Sequence, residues 1–273
     1  MKVKRQYSVK LERSELQPFM DLALVREKDY LEFSRSIVFH LLEDDERIPA
    51  VLRLLDGRKY GTYDTAAFSD EDLEAADHLA LGFSWLNGYP QPDGDGASDY
   101  QRITYDPEGL CEGCGIYGKQ ITPFRLRLPP KWGRRKMFSL NWIFDEMFVE
   151  TSYYEARFRP LGLEARDVVH HKSGDIIPTV KQIDLPDVDF GFQMDTSKGE
   201  ICKVCGTPRY HPNVVDYLPP LNGDASTYPV FRANTYFGDG MNSFRKIVIS
   251  SDVFSMLKDD KVRALYFHPI KNA

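Results

Sequence analysis

The sequence lacks the features that place a protein in or across a membrane. No apolar run approaches the roughly 18 consecutive apolar residues that a membrane helix needs. The first residues, MKVKRQYSVK, are basic, but no continuous apolar segment or small-residue cleavage site follows them, as a secretory signal requires. We therefore expect a cytoplasmic protein with no membrane partner.

Common catalytic motifs are also missing. The chain has no G-x-S-x-G, no G-x-x-x-x-G-K-[ST] and no H-E-x-x-H. Two groups of side chains could in principle exchange protons with a substrate: His170, His171 and Asp175, and Asp145, Glu146 and Glu150. Adjacent histidines point to opposite sides of a strand, and the carboxylates fall on the polar face of a predicted helix. We expect no catalytic site and no enzyme.

Composition indicates an ordered globular protein. The 273 residues are 42% hydrophobic and 13% aromatic, which is too rich in ring side chains for a disordered segment despite 28% charge. The patterns along the chain predict an α+β fold of antiparallel sheets with a few packed helices. We expect two regions, an acidic α+β region over residues 1–107 and a second α+β region over 108–273 that holds every cysteine, packed as one compact unit.

Local patterns predict three longer elements. SDEDLEAADHLALGFSW, residues 69–85, predicts a helix that begins at Ser69 with Asp72 as its reciprocal cap partner. FSLNWIFDEMFVETSYYEARF, residues 138–158, predicts a second helix from its apolar stripe. Residues 244–270 predict a strand, a helix and a strand.

Shorter patterns complete the picture. YSVKL predicts an opening strand, and RIPAVLRLLDG predicts a short helix or strand that ends at Gly57. ITPFRLRLPPKW alternates like a strand. The outlines of residues 138–169 and 249–270 are similar, which suggests a duplicated strand–helix–strand unit.

Basic residues are absent from residues 64–100, which carry nine Asp and Glu. The chain as a whole has a net charge of −6. Two interpretations remain open for the acidic run: a solvated surface with helix-start carboxylates, or an interface for a basic partner.

Positive charge is concentrated instead in RLRLPPKWGRRK, residues 125–136. Beside a zinc ribbon, such a stretch is typical of nucleic-acid binding or of a regulatory protein, and this is the alternative function. The negative net charge argues against it, so a nucleic-acid partner is unlikely on these grounds.

Cysteine is scarce, and every copy belongs to a C-x-x-C-G pair. The ligand candidates are Cys111, Cys114, Cys202 and Cys205, with 87 residues between the pairs. A disulfide, a redox C-x-x-C motif and iron remain alternatives. Zinc is favoured because a tight turn ending in glycine presents two thiolates, and two such turns make a closed tetrahedral site. Four protein thiolates leave no open position, so we expect one structural zinc ion per chain.

CEGCG and CKVCG, LGLEARDV after the central segment, and the ending YFGDGMNSFRKIVISSDVFSMLKDDKVRALYFHPI resemble the double-CxxCG motif family of bacterial immunity proteins. This family is known from swarm-inhibition and other polymorphic toxin systems. The resemblance covers roughly the C-terminal two thirds of the chain. It implies an immunity protein that neutralises a cognate protein toxin encoded by an adjacent gene.

Such a protein needs a stable scaffold and a surface that covers its toxin. Many toxins that act on nucleic acids have basic clefts, so a surface rich in carboxylates would speed association. Aromatic side chains beside them are typical of interface hot spots. The predicted toxin-binding residues are Asp70, Asp72, Trp85, Tyr89, Asp93, Asp95, Asp99 and Tyr100.

Overall fold

The computed structural model describes residues 1–93 and 98–272. Its internal contacts divide the chain into unit 1, Met1–Asp72 with Asn213–Tyr217, and unit 2, Leu73–Pro212 with Leu218–Ala273. This division falls after Asp72 and not near residue 107, because the strand that begins at His78 pairs with strands from the C-terminal part of unit 2.

Unit 1 is built on an antiparallel sheet of three strands in the order β2-β1-β3. The strands are β1 (Lys2–Lys10), β2 (Ser36–Leu42) and β3 (Tyr60–Ala67), and the helices are α1 (Gln17–Asp21) and α2 (Ile48–Leu55). Tyr7 of β1 stacks on Phe39 of β2 at 5.1 Å between ring centres. These rings and the apolar face of α2 form the core of unit 1, so the opening strand and the short second helix follow the sequence patterns.

A short helix α3 (Asp70–Glu74) spans the division between the units. Its predicted cap is present: the Ser69 hydroxyl accepts from the Asp72 N–H at 3.2 Å, and Asp72 accepts from the Ser69 N–H at 2.9 Å. The predicted continuation of this helix to residue 85 is wrong. The chain forms a strand from His78 instead.

Unit 2 contains the remaining strands and helices, numbered along the chain. They are β4 (His78–Phe83), α4 (Ser98–Thr104), β5 (Arg125–Leu126), β6 (Met137–Leu140), β7 (Ile143–Glu150), α5 (Thr151–Tyr153), β8 (Ala165–His170), β9 (Ile176–Ile183), β10 (Glu200–Ile201), β11 (Pro208–Tyr210), β12 (Val230–Asp239), β13 (Asn242–Ser250), α6 (Ser251–Asp259) and β14 (Leu265–Pro269). A π-helical turn, Tyr154–Phe158, extends α5.

Two sheets organise unit 2. One has six strands in the order β10-β11-β12-β13-β4-β14, and the other has five in the order β5-β8-β9-β7-β6. Neighbouring strands are antiparallel except for the pairs β11–β12 and β5–β8. The predicted α+β fold with antiparallel sheets and a few helices is confirmed.

The helix predicted over residues 138–158 is also wrong. Residues 137–150 form the hairpin β6–β7, and helical backbone begins only at Thr151. Nearly every side chain of β7 is buried, on both faces of the strand. A strand covered on both faces has a continuous apolar run, which periodicity alone does not separate from a buried helix.

A strand–helix–strand unit occurs twice in unit 2. β7 leads through α5 to β8, and β9 lies between these two strands, antiparallel to both. β13 leads through α6 to β14, and β4 lies between them in the same way. The similar outlines of the two segments therefore correspond to the same strand arrangement.

The main core of unit 2 lies between the two sheets and their helices. It contains side chains from β4, β7 and β13 together with Phe158 after α5 and Phe254 of α6. A second cluster, with Phe124, Phe138 and Phe148 at its centre, covers the other side of the five-stranded sheet. Burying each such ring contributes about 1.5–3 kcal/mol relative to exposure.

Candidate metal centre

The two C-x-x-C-G segments form the same turn. The Cys111 N–H donates to the Ile116 carbonyl at 2.7 Å, and the Gly115 N–H donates to the Cys111 carbonyl at 2.8 Å. The second turn repeats both bonds, from Cys202 to Thr207 at 3.0 Å and from Gly206 back to Cys202 at 2.9 Å. Identical backbone pairing presents both pairs of sulfurs in the same way.

Glycine is required at the end of both turns. Gly115 has φ +74° and Gly206 has φ +76°, in the left-handed region that side chains with a Cβ rarely adopt. At Gly115 a Cβ would also lie 2.0 Å from the Met241 carbonyl oxygen, whereas the space at Gly206 is open. The first turn is therefore packed against the β12–β13 hairpin, while the second faces outward.

The four sulfurs lie close enough to hold one metal ion. Cys111 Sγ is 3.8 Å from Cys202 Sγ, Cys114 Sγ is 3.7 Å from Cys205 Sγ, and all four lie within 4.8 Å of one another. A tetrahedron with metal–sulfur bonds of about 2.3 Å has edges of about 3.8 Å. These separations are too long for a disulfide, which needs about 2.05 Å, and all four thiols are free. The donor set fits a tetrahedral metal such as zinc.

The thiols differ in their surroundings. Cys111, Cys114 and Cys202 are buried, and Cys205 is exposed. Burial raises the pKa of Cys114 to about 12, whereas the Thr207 hydroxyl, 3.4 Å away, lowers the pKa of Cys205 to about 6. A bound cation favours the thiolate form at all four positions.

Hydrogen bonds outside the four thiols fix the first C-x-x-C-G turn to the six-stranded sheet. The Ser243 hydroxyl of β13 donates to the Cys114 carbonyl at 2.6 Å. The buried Arg209 of β11 donates to the Gly240 carbonyl at 2.6 Å. The four-thiol cluster thus lies between the loop around Cys111 and the β10–β11 hairpin at the edge of that sheet, and hydrogen bonds orient both sides of it.

The glycines of the first turn, Gly113, Gly115 and Gly118, also have the spacing G-x-G-x-x-G. A dinucleotide-binding motif needs a strand before it and a helix after it. Here a 3-10 turn, Pro107–Gly109, precedes the segment, and an isolated bridge at Gln120 follows it. The spacing belongs to the metal turn.

A buried polar network lies beside the loop that carries Cys111 and Cys114, and the sequence patterns did not predict it. Tyr117 donates its hydroxyl to the Asp145 carboxylate. Arg232 of β12 donates to Glu146 Oε1 at 2.8 Å, and Gln182 of β9 donates to Glu146 Oε2 at 2.8 Å. Asp145 and Glu146 are 2% and 1% exposed, so they are internal polar groups of a strand and not the polar face of a helix.

The electrostatics of this network are those of a buried ion pair. Burial raises the pKa of Glu146, and Arg232 opposes that rise. Burial likewise raises the pKa of Tyr105 and Tyr117, which stack at 3.9 Å between ring centres. The charges of Arg232 and Glu146 join the two sheets of unit 2, because β12 belongs to one and β7 to the other.

The predicted toxin-binding residues belong to two different units of the structure. Asp70 and Asp72 belong to unit 1, whereas Trp85 and Tyr89 belong to unit 2. Tyr100 is 1% exposed and packs in the core behind the five-stranded sheet, so its side chain is not available to a partner. Tyr100 therefore does not belong to an exposed toxin-binding surface.

The other predicted contacts in this region differ in exposure. Asp93 is exposed, Asp99 is half-buried, and Asp95 lies outside the described residues. Tyr89 is 44% exposed. Trp85 is half-buried between Trp132 and Phe138.

Much of the acidic run is engaged inside the chain. Arg5 donates two hydrogen bonds to Asp64, at 2.6 and 2.7 Å, and Lys258 donates to Glu74 at 2.6 Å. The N-terminal ammonium lies 2.8 Å from Asp72 and, with a hydrogen bond from Tyr217, holds the pKa of Asp72 well below its usual range. Distant cations and hydroxyls thus compensate carboxylates that have no basic neighbour in the sequence.

Exposed apolar side chains lie next to Tyr89. Its ring packs against Trp142 at 4.5 Å between centres, and Trp142 remains 37% exposed. Leu86 and Phe144 are 38% and 37% exposed along the same two segments. We call Leu86, Tyr89, Trp142 and Phe144 the aromatic surface. The sequence patterns did not predict Trp142 and Phe144 as binding residues, because they predicted a helix over residues 138–158.

Hydrogen bonds fix the aromatic surface to β6. The Ser139 N–H donates to the Trp85 carbonyl at 3.3 Å, and the Asn87 N–H donates to the Ser139 carbonyl at 2.9 Å. The Asn141 N–H donates to the Gly88 carbonyl at 2.8 Å. The segment that carries Tyr89 is therefore an added edge of the five-stranded sheet.

Comparison with protein-family models and with curated protein sequences found no match to this chain. Among the helices of residues 1–93 and 98–272, none has the length and apolar character needed to cross a bilayer.

Proposed function

We propose that the protein binds a cognate protein toxin and neutralises it through a protein–protein interface. The toxin is encoded by an adjacent gene, the encounter takes place in the cytoplasm, and neutralisation requires no catalysis by this chain. The partner class rests on the resemblance of CEGCG, CKVCG and the C-terminal segment to double-CxxCG immunity proteins.

The observation that carries the proposal is the exposed contact between Tyr89 and Trp142. Tyrosine and tryptophan are the side chains most enriched at interface hot spots, where they supply large contact areas at low entropic cost. Leu86 and Phe144 are also exposed on the same two segments, at 38% and 37%. Such a patch on a surface fixed by backbone hydrogen bonds favours a preformed binding site.

The backbone of Trp142 adds a second argument. Its φ of +69° lies in the left-handed region, which costs a residue with a Cβ about 1–2 kcal/mol. Glycine would suit this turn without strain. A tryptophan that is both strained and exposed is explained by a role outside the fold itself.

The metal centre has a structural part in this proposal. Cys111, Cys114, Cys202 and Cys205 would hold one zinc ion through four thiolates, which would leave no open position for water or substrate. Zinc supplies cross-linking of the loop and hairpin. The chain's own surface supplies recognition.

The test is co-expression with the product of the adjacent gene, read out as growth rescue and as binding of the purified proteins. Trp142→Gly removes the ring and relieves the strained backbone, so we expect binding at least tenfold weaker with an unchanged or higher melting temperature. Tyr89→Ala should act in the same direction. Tyr63→Ala, which truncates a tyrosine of similar exposure (48%) in β3, should bind as the wild type.

Two results would overturn the proposal. One is an adjacent gene product that is harmless to cells or does not bind this protein. The other is full rescue by Trp142→Gly and Tyr89→Ala together, which would exclude the aromatic surface.

A further inference from the structure

The loop over residues 125–136, here called the cationic loop, carries free positive charge. Arg127, Lys131 and Arg134 are exposed, and none forms an ion pair with any residue of 1–93 or 98–272. This contrasts with Asp64, Asp72 and Glu74, which are paired inside the chain. These three side chains therefore present positive charge, and Asp93 is the acidic group near Arg127.

Packing holds the cationic loop in place. The Arg135 guanidinium lies 3.9 Å from the centre of the Trp85 ring, and Trp132 meets the same ring edge-on at 5.5 Å. The Arg135 N–H donates to the Trp132 carbonyl at 3.0 Å, which closes a turn around Arg134. The exposed cations thus project from an anchored loop, which reduces the entropy lost when they bind an anion.

The same region has donors without acceptors. Trp132 Nε1 and Arg125 Nε are buried, and no acceptor in the described part of the chain reaches them. The nearby carboxylate of Asp93 has its pKa lowered first by a hydrogen bond from Gln91 and then by the charges of Arg127 and His171. Donors and cations together favour a ligand that carries several acceptor oxygens.

Two features favour carboxylates on a protein over phosphates on a nucleic acid. Arg135 and Trp132 already cover the Trp85 ring, so it is not available for base stacking, the usual partner of such cations in single-strand binding. Leu128, at the centre of the loop, is 67% exposed and offers an apolar contact that a phosphate backbone would not use.

We infer that the cationic loop binds an acidic segment of a protein partner. Arg127, Lys131 and Arg134 pair with its carboxylates, and Leu128 contacts an apolar side chain between them. The inference concerns the charge of the partner and goes beyond the proposed function, since it holds for any protein that presents such a segment.

The experiment uses two fluorescent probes with the same net charge, a short peptide of alternating glutamate and leucine and a thymidine oligonucleotide. Binding to the full-length protein is followed by anisotropy at low and physiological salt. We expect the peptide to bind more tightly than the oligonucleotide. Arg127→Glu/Lys131→Glu/Arg134→Glu should weaken peptide binding at least tenfold.

A matched control separates the loop from overall charge. Arg102→Glu/Lys119→Glu/Arg263→Glu changes the net charge equally at three exposed cations elsewhere in unit 2, and it should weaken peptide binding less than threefold. Equal loss in both triple variants, tighter binding of the oligonucleotide, or no binding of the peptide by the wild type would each overturn the inference. Circular dichroism of both variants verifies that they are folded.

Discussion

Tyr117, three residues after the metal ligand candidate Cys114, donates a hydrogen bond to the buried carboxylate of Asp145. Asp145 also accepts from the Arg245 N–H of β13 at 3.2 Å. The loop that carries Cys111 and Cys114 is therefore tied to the interior of unit 2 by a polar contact beside the four-thiol cluster. We therefore expect a structural change at the four-thiol cluster to disturb the core through the contact between Tyr117 and Asp145.

Removal of the metal ligands should destabilise the whole of unit 2. Cys111→Ser/Cys202→Ser should lose about one equivalent of metal and lower the melting temperature by more than about 10 °C, because metal binding contributes directly to folding free energy. Elemental analysis and calorimetry measure both. Colourless protein with equimolar zinc identifies the ion, whereas visible absorption with iron would contradict zinc.

Val204→Ser is the control for this variant. Val204 lies in the second turn, between Cys202 and Cys205, and is 69% exposed. It should retain metal and melting temperature. A Cys111→Ser/Cys202→Ser variant that kept its metal content and its melting temperature would contradict the four-thiolate site.

The two turn glycines should respond differently to alanine. Gly206→Ala adds a methyl group in open space and should cost only the left-handed strain, about 1–2 kcal/mol. Gly115→Ala also forces a Cβ to 2.0 Å from the Met241 carbonyl, so the first turn must move and the metal affinity should fall as well. Urea unfolding and a competition assay with a zinc chelator distinguish the two. Equal effects would contradict the packing described for the first turn.

The pair Glu146–Arg232 should show strong coupling. Glu146→Gln removes the buried counter-charge of Arg232 and leaves it only the exposed carboxylate of Asp187, 3.1 Å from its Nε, so the variant should be destabilised by about 3–5 kcal/mol. Adding Arg232→Met to that variant should recover part of the loss, because the buried charge is removed. A double-mutant cycle measured by urea unfolding gives the coupling, and additive effects would rule it out.

Lys246 should make stability depend on alkaline pH. Burial lowers its pKa from 10.5 to about 8, and its ammonium lies 4.6 Å from the Phe237 ring centre. Between pH 8 and 10.5 the unfolded chain binds this proton more tightly than the folded chain, so stability rises with pH across that window and the penalty is complete below pH 8.

Lys246→Met removes the penalty. The variant should be more stable than the wild type by up to about 3 kcal/mol at pH 7, and the difference should shrink above pH 8 and vanish near pH 10.5. Unfolding curves of both proteins at several pH values measure it. A difference that does not change with pH would show that Lys246 titrates normally.

Local signals in the sequence predicted the parts of the fold that depend on neighbouring residues. The reciprocal cap of Ser69 and Asp72 needs only three positions, and the two C-x-x-C-G turns need only six. The closing strand, helix and strand over residues 244–270 also have clear local patterns. The cysteine spacing then predicted that the four thiols come together, and they lie within 4.8 Å of one another.

The other parts of the fold depend on pairing between strands that are far apart in the sequence. Ala76, Ala80 and Phe83 fit one face of a helix, whereas Leu79, Leu81 and Phe83 fit strand alternation. Only the pairing of β4 with β13 and β14 selects the strand. Gly82 supports this assignment, since its missing side chain leaves room for the Tyr266 ring of β14. The compensation of Asp64 by Arg5 likewise depends on β1–β3 register, which composition does not contain.

The position of β4 between β13 and β14 also bears on how the protein is made. β4 emerges from the ribosome about 160 residues before β13 and about 180 residues before β14, so both of its edges stay without strand partners while most of unit 2 is synthesised. The apolar side chains of β4 are exposed to other nascent chains during that interval. Completion of the six-stranded sheet therefore waits until β13 and β14 have been synthesised.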